Sequence, residues 1–304
     1  PYIENFCEER EYVLEYGDPR PDLTEDYPVY HADKFITDLE LQSRNKDIEV
    51  RDYQKNAYVY AMRNNRCLLL SPTSSGKSLI IYLAVRQLLT YKCKKGLIIV
   101  PTTSLVEQLY SDFSDYSTKN GWDVQENVHR IYQGRDKHTD LPLTISTWQS
   151  LYTKPEEYFH QFDFIIGDEA HLFKAQSLVS IMSNCINAKY RIGLTGTIDG
   201  TMTHKLVLEG LFGPVQKVTT TKELMDNKQI ADFSIKCLVL KHDDEICQLM
   251  KGKTYQEEIE YLILNESRNK FIKNLAVSLN GNSLILYQYV DKHGKILYDM
   301  ITNT

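Results

Sequence analysis

No Cys-x-x-Cys pair occurs in this sequence, and its six cysteines (7, 67, 93, 185, 237 and 247) keep no metal-like spacing with histidine. That excludes a zinc framework and predicts reduced thiols in an intracellular, cytoplasmic setting. No run reaches the roughly 18 apolar residues needed for a membrane-spanning helix. The opening Pro1-Tyr-Ile-Glu-Asn has neither a basic segment nor an apolar core, so it does not read as a signal peptide. A first residue other than Met is expected of a fragment or a processed chain. Positive charge is not in excess: 35 Lys and Arg face 41 Asp and Glu, a net charge of −6. A broad electrostatic footprint for nucleic acid is therefore excluded. A local grip through amides, hydroxyls and a few cations is not. Internal repeats and low-complexity tracts are also missing.

What is present is ordinary globular composition, 42% hydrophobic and 25% charged over 304 residues, a length that predicts roughly two domains. Residues 1–48 are acidic and broken by Pro19, Pro21 and Pro28. Within them only residues 32–41 have a helical pattern, with Phe35, Ile36 and Leu39 on one face. They read as the end of an accessory domain and a connector. From Val50 onward strand-like and helix-like runs alternate. Strands are expected at 67–71, 96–101, 128–133, 143–147, 162–168 and 191–196, and helices at 53–62, 79–90, 104–116 and 178–184. Continuous apolar strands such as Leu97-Ile-Ile-Val100 suit a sheet buried on both faces, and the alternation predicts an α/β fold with a mostly parallel sheet. Beyond residue 222 the pattern changes. A strand is expected at 230–240, a long helix at 254–279, a strand at 283–287 and a helix at 294–301.

The chemistry concentrates in two places. Ser71-Pro-Thr-Ser-Ser-Gly-Lys-Ser78 follows the apolar run Cys67-Leu-Leu-Leu70 and precedes Leu79-Ile-Ile-Tyr-Leu-Ala84. A strand, a small-residue loop ending in Gly-Lys-Ser, then a helix is the layout of a phosphate-binding loop. The residues Thr73, Ser74, Ser75 and Gly76 supply backbone N–H groups at a helix N-terminus, where the dipole favours an anion. Lys77 adds a mobile cation, and Ser78 a hydroxyl for Mg²⁺. Ser71 stands where such loops usually carry their first glycine. Asp168-Glu-Ala-His171 ends another predicted strand. A carboxylate there can hold Mg²⁺ through its water shell, and Glu169 can orient or activate an attacking water.

Gly-Lys-Ser, Asp168-Glu-Ala-His171 and Leu194-Thr-Gly-Thr197 have the order and spacing of motifs I, II and III of superfamily 2 helicases and translocases, which the chain resembles. Arg51-Asp-Tyr-Gln54 is similar to their glutamine motif, Pro101-Thr-Thr-Ser-Leu-Val-Glu-Gln108 to motif Ia, and Ile145-Ser-Thr-Trp-Gln149 to motif Ib. The stretches Val100-Pro-Thr-Thr103, Ser146-Thr-Trp-Gln149, Val218-Thr-Thr-Thr221, Lys251-Gly-Lys-Thr-Tyr-Gln-Glu-Glu-Ile259 and Arg268-Asn-Lys270 resemble, more narrowly, the UvsW-type recombination and fork-repair helicases of T-even-like bacteriophages.

This resemblance implies a RecA-like P-loop NTPase domain over 49–222, with 223–304 as linker and the beginning of a second, incomplete RecA-like domain. It implies ATP and Mg²⁺ as cofactors. Gln54 would bind adenine, while Lys77, Ser78, Asp168 and Glu169 would serve phosphate, metal and water. His171 would link the nucleotide to a coupling turn at Thr195 and Thr197. Thr102, Thr103, Thr147 and Gln149 would contact the backbone of a tracked DNA strand without reading sequence. The implied work is remodelling of branched DNA: fork regression, branch migration and unwinding of R-loops, with RNA met in RNA–DNA hybrids. Residues 283–295 resemble motif IV, and no Gln-x-x-Gly-Arg-like segment follows, so the chain is expected to bind nucleotide and hydrolyse it poorly. The rival readings are a restriction-system translocase subunit, an XPB-like repair helicase, an RNA helicase and a non-catalytic nucleotide switch.

Overall fold

Alternate residues of each apolar run belong to different cores. Ile98 and Val100 join one cluster while Leu97 and Ile99 join another, and Phe164 and Ile166 divide from Ile165 in the same way. Side chains two apart share a face of a strand, so a run apolar at every position must be covered on both sides. The computed structural model, which describes residues 6–7, 9–10, 12–13, 27–132, 140–173, 175–198 and 202–303, has that arrangement. A small antiparallel hairpin, β1 (Gln42–Ser43) and β2 (Lys46–Asp47), precedes the main sheet. The sheet strands are β3 (Arg66–Leu70), β4 (Gly96–Val100), β5 (Val128–Ile131), β6 (Leu143–Thr147), β7 (Phe164–Gly167), β8 (Tyr190–Thr195) and β9 (Val215–Lys217). They stand in the order β5-β6-β4-β7-β8-β3-β9, and every paired neighbour is parallel.

Helices α1 (Val29–Asp38), α2 (Asp52–Asn64), α3 (Lys77–Tyr91) and α4 (Thr103–Tyr116) carry residues of the first cluster. Helices α5 (Gln176–Asn184) and α6 (Met202–Phe212) carry residues of the second. Glycine makes room for that second layer. A Cβ on Gly167 would lie 2.8 Å from the rings of both Phe173 and Phe212, and one on Gly193 would lie 2.9 Å from Phe212. A short helix, α7 (Thr221–Asp226), follows β9 and is closed by a capping box between Thr220 and Glu223.

The chain separates into two compact units, Pro1–Asp232 and Phe233–Thr304. Tyr27, Leu39 and Leu41 belong to the main core of the first unit. The second unit contains α8 (Asp244–Met250), α9 (Tyr255–Leu264), α10 (Glu266–Ser278) and α11 (Lys295–Thr302). Its buried polar centre is Asn269, whose Nδ2 donates to the Ile263 carbonyl at 2.8 Å and whose Oδ1 lies 3.2 Å from His293 Nε2.

The six strands expected between 67 and 196 all form, shifted by one or two residues, although Gln133, at the end of one expectation, lies outside the described residues. Strand β9 and helix α6 were not expected. Three expectations in the second unit fail. The helix expected over 254–279 is broken at Asn265, whose backbone is extended and whose side chain accepts from the Arg268 N–H, capping α10. No strand forms at 230–240 or 283–287: Leu284 and Leu286 are 85% and 84% exposed. A strand is stabilised by its cross-strand partners, and neither stretch has one among the described residues. No described helix is long and apolar enough to cross a membrane.

Candidate functional site

The sheet order places the motif residues in one row. Strands β6, β4, β7, β8 and β3 are consecutive neighbours, and Thr147, Thr102, Asp168, Thr195 and Ser71 lie at or just beyond their C-terminal ends. Register keeps these ends level: Val100 pairs with Thr147, Ile99 with Gly167, Gly167 with Gly193 and Leu70 with Thr195. Ligands of open parallel sheets bind at that edge.

The loop between β3 and α3 is held from inside by serine hydroxyls. Ser75 Oγ donates to the Pro72 carbonyl at 2.6 Å, so the 2.7 Å contact between Ser71 and Ser75 is donated by Ser71. Ser71 thus fastens the loop that a glycine would leave free. Replacement Ser71→Ala is expected to cost about 1 kcal/mol, the usual net worth of such a bond. Urea denaturation checks it, and an unmoved midpoint would show the hydroxyl chain to be idle. Thr73 and Ser74 are exposed, and Ser74 (φ 65°) and Gly76 (φ 78°) both adopt the left-handed conformation. Successive N–H groups in such a turn form an anion-binding concavity.

Gln54, assigned to adenine by resemblance, is directed at this loop. Its Nε2 donates to the Ser75 carbonyl at 2.8 Å, its Oε1 accepts from the Arg51 N–H at 3.0 Å, and it is 4% exposed. One N–H and one lone pair of the amide remain for a base. Tyr53 OH donates to the same Ser75 carbonyl at 2.9 Å. A Cβ on Gly76 would lie 2.3 Å from Gln54 Nε2, so this approach requires glycine on steric as well as conformational grounds.

Opposite the loop, Lys77 Nζ lies 3.3 Å from Glu169 Oε1. Glu169 is left-handed (φ 50°), and its N–H donates to Asp168 Oδ1 at 3.0 Å. Burial, then the adjacent charge of Glu169, holds the Asp168 carboxyl above the usual carboxylate range, against the pull of the Glu169 N–H, Lys77 and His171. His171 Nδ1 is 2.9 Å from Thr195 Oγ1 and 3.4 Å from Glu169 Oε2. The Thr195 hydroxyl donates to the Thr197 carbonyl at 2.9 Å, so the proton toward Thr195 is on His171 Nδ1. His204 Nε2 donates to the His171 carbonyl at 3.0 Å. Loop, acidic turn and coupling turn therefore touch: a Cβ on Gly196 would sit 3.7 Å from Thr73 N and 3.9 Å from Lys77 Nζ.

Magnesium suits this donor set. No group of three or more His, Cys, Asp and Glu among the described residues forms a metal cage. A nucleotide's Mg²⁺ needs only one or two protein oxygens beside phosphate and water. Two adjacent, partly buried carboxylates are a pair that a divalent cation stabilises. Ser78 and Asp168 are the residues that could hold it, though Ser78 Oγ here lies 3.0 Å from Tyr116 OH.

Of the residues assigned to nucleic acid, Thr102, Thr103 and Gln149 are exposed. Thr102 caps α4 by accepting from the Leu105 N–H. Thr147 is only 5% exposed, and its hydroxyl pairs with Ser150 at 3.1 Å. The exposed surface is therefore carried by the other three. Sequence reasoning missed Tyr53, Asp112, Tyr116 and His204. Only Tyr53, beside Gln54, carried a local signal; the others are brought in by packing.

A model described as the type III restriction enzyme res subunit matches residues 47–200. The chain is 35% identical over 308 residues to the ATP-dependent DNA helicase uvsW of Enterobacteria phage T4, covering 99% of this chain and 60% of that protein. It is 29% identical over 198 residues to the DNA 3'-5' translocase XPB2 of Sulfurisphaera tokodaii, covering 65% and 42%. It thus spans less than two thirds of these relatives. A crystal structure of the UvsW helicase from bacteriophage T4 superposes with a TM-score of 0.64 at 35% identity, covering 71% of this chain and 76% of that one. The helicase domain of Pyrococcus furiosus Hef, at 20% identity and a TM-score of 0.51, shares the fold. Motifs, sheet order and similarity agree: the chain belongs to the superfamily 2 helicases, in the family of the type III restriction enzyme res subunit, and is of the UvsW type.

Proposed function

We propose that the chain carries the nucleotide-binding domain of an ATP-dependent DNA motor that remodels branched DNA. The observation that supports this most is the contact chain from Lys77 through Glu169 and His171 to Thr195, within one row of strand ends. The N–H groups of residues 73–78 and the Lys77 ammonium bind the phosphates. Ser78 and Asp168 hold magnesium, Glu169 orients the attacking water, and Gln54 with its remaining amide positions receives adenine. Bound Mg-ATP supplies the phosphoanhydride to be cleaved and the charge neutralisation for its cleavage. His171 passes the state of Glu169 to Thr195 and Thr197, and the exposed Thr102, Thr103 and Gln149 hold a strand by its backbone. Such contacts suit a chain of net charge −6, because hydroxyls and amides grip phosphate without a basic surface.

In this reading residues 49–222 are the first RecA-like domain, 223–304 begin the second, and 1–48 adjoin an accessory domain. The protein acts in the cytoplasm on forks, junctions and R-loops. Similarity to a relative named as a DNA translocase supports, as a second reading, movement along DNA without strand separation.

Reciprocal coupling tests the proposal, since a strand that tightens nucleotide must itself be tightened by nucleotide. The affinity for a non-hydrolysable ATP analogue is measured alone and with single-stranded DNA, forked DNA and structured RNA. Tightening by DNA, greatest with forks, is the expected result. Equal or greater tightening by RNA would move the assignment to RNA remodelling. No effect of any nucleic acid would overturn the motor reading.

A further inference from the structure

The Ser78 hydroxyl is held by α4. Tyr116 OH lies 3.0 Å from Ser78 Oγ, and Asp112, one helical turn earlier on α4, hydrogen-bonds the same hydroxyl. The direction of each bond follows from the groups. An ionised carboxylate only accepts, so the single proton of Ser78 goes to Asp112, and the phenolic proton of Tyr116 goes to Ser78 Oγ. An alcohol oxygen that ligates a cation must point its proton away from the metal and a lone pair toward it. Asp112 gives the proton a fixed destination. Tyr116 does the reverse, setting a donated proton on the oxygen that the cation requires. Tyr116 is buried, with its ring edge-on to Tyr82 at 5.4 Å, so its hydroxyl is anchored by packing. Helix α4 starts at Thr103, behind the cap Thr102, and continues to Tyr116 without a break. One helix therefore joins the exposed threonines to this hydroxyl.

We propose that Asp112 and Tyr116 are positioning residues of opposite sign for the magnesium ligand Ser78: Asp112 orients the hydroxyl for the cation, and Tyr116 occupies it until Mg-nucleotide arrives. The inference rests on the phosphate-loop reading above. It also gives strand binding a route to the metal, because a shift of α4 moves both residues against Ser78.

The experiment titrates Mg²⁺ into the chain with a fluorescent ADP analogue, for the parent, Asp112→Asn and Tyr116→Phe, with melting curves recorded without metal or nucleotide. Asp112→Asn is expected to weaken the apparent Mg²⁺ affinity about tenfold, at the lower end for loss of a ligand-orienting partner. Tyr116→Phe keeps the ring and is expected to strengthen it about threefold, the worth of one modest hydrogen bond. Both should leave nucleotide affinity in EDTA within about twofold of the parent, since neither residue meets the phosphates. Shifts in the same direction, or lowered melting with unchanged metal dependence, would overturn the proposal and leave the pair a packing contact. Each variant folds or fails independently, and an unchanged Mg²⁺ titration in either one is enough to overturn it. Failure of the parent to bind the analogue at all would instead sink the phosphate-loop reading.

Discussion

Lys77→Ala is expected to lower DNA-stimulated ATP turnover by a factor on the order of 10²–10³, the usual loss when one preorganised group aimed at developing charge is removed. Lys77 opens α3 at the mouth of the phosphate loop, and its ammonium rests 3.3 Å from Glu169. With nucleotide bound, that cation is free to follow the charge on the terminal phosphates. Removing it leaves the backbone cradle intact, so nucleotide affinity should fall less than turnover. The fold should survive, because partly solvated ion pairs of this kind contribute about 0–1 kcal/mol. Turnover, analogue binding and thermal midpoint measured together separate these effects. Turnover unchanged by the substitution would remove Lys77 from the reaction. A collapse of the midpoint would make its role structural.

Phe164→Ala should produce the largest loss of stability. Phe164 is fully buried in β7 and fills the space left open by Gly96, whose imagined Cβ would lie 2.0 Å from the ring. Truncating a buried phenylalanine removes its transfer free energy and leaves a cavity, a cost of about 3–5 kcal/mol. Domains of this kind have a total stability of about 5–15 kcal/mol, so the loss is a large share. The urea midpoint should fall with the m-value unchanged. Because β7 delivers Asp168 directly, metal-dependent nucleotide binding should weaken alongside stability even below the unfolding transition. A midpoint within about 1 kcal/mol of the parent would mean that β4 and β7 close the gap, as cores sometimes do.

The chemistry was legible because it depends on residue type at short spacing. Gly76, Lys77 and Ser78 are adjacent, as are Asp168 and Glu169, and no tertiary contact is needed to see a phosphate loop or a pair of carboxylates at a strand end. The strands were legible for the same reason, since apolar runs like those of β4 and β7 cannot be left uncovered. Legibility ended where a local pattern depended on a distant partner. Residues 283–287 have the composition of a buried strand and stand exposed. Asn265 stops a helix that periodicity carries through. Thr147 looks like a surface hydroxyl by motif and is buried against Ser150.

By itself, then, the sequence determined the fold class, the phosphate loop, the acidic turn and the family. Each of these is written in neighbouring residues and in periods of two and 3.6, which a chain carries before it folds. Strand order was decided only in three dimensions. Strand β8 is the sixth sheet strand in the chain, yet it inserts between β7 and β3, and this brings Thr195 to His171 and Gly196 to the phosphate loop. The same folding set Gln54 on the Ser75 carbonyl and Tyr116 on Ser78, contacts spanning 21 and 38 residues of chain. Local pattern specifies which groups exist. Burial of two apolar faces against different helices specifies which of them meet, and that is where the direction of each proton in this site was fixed.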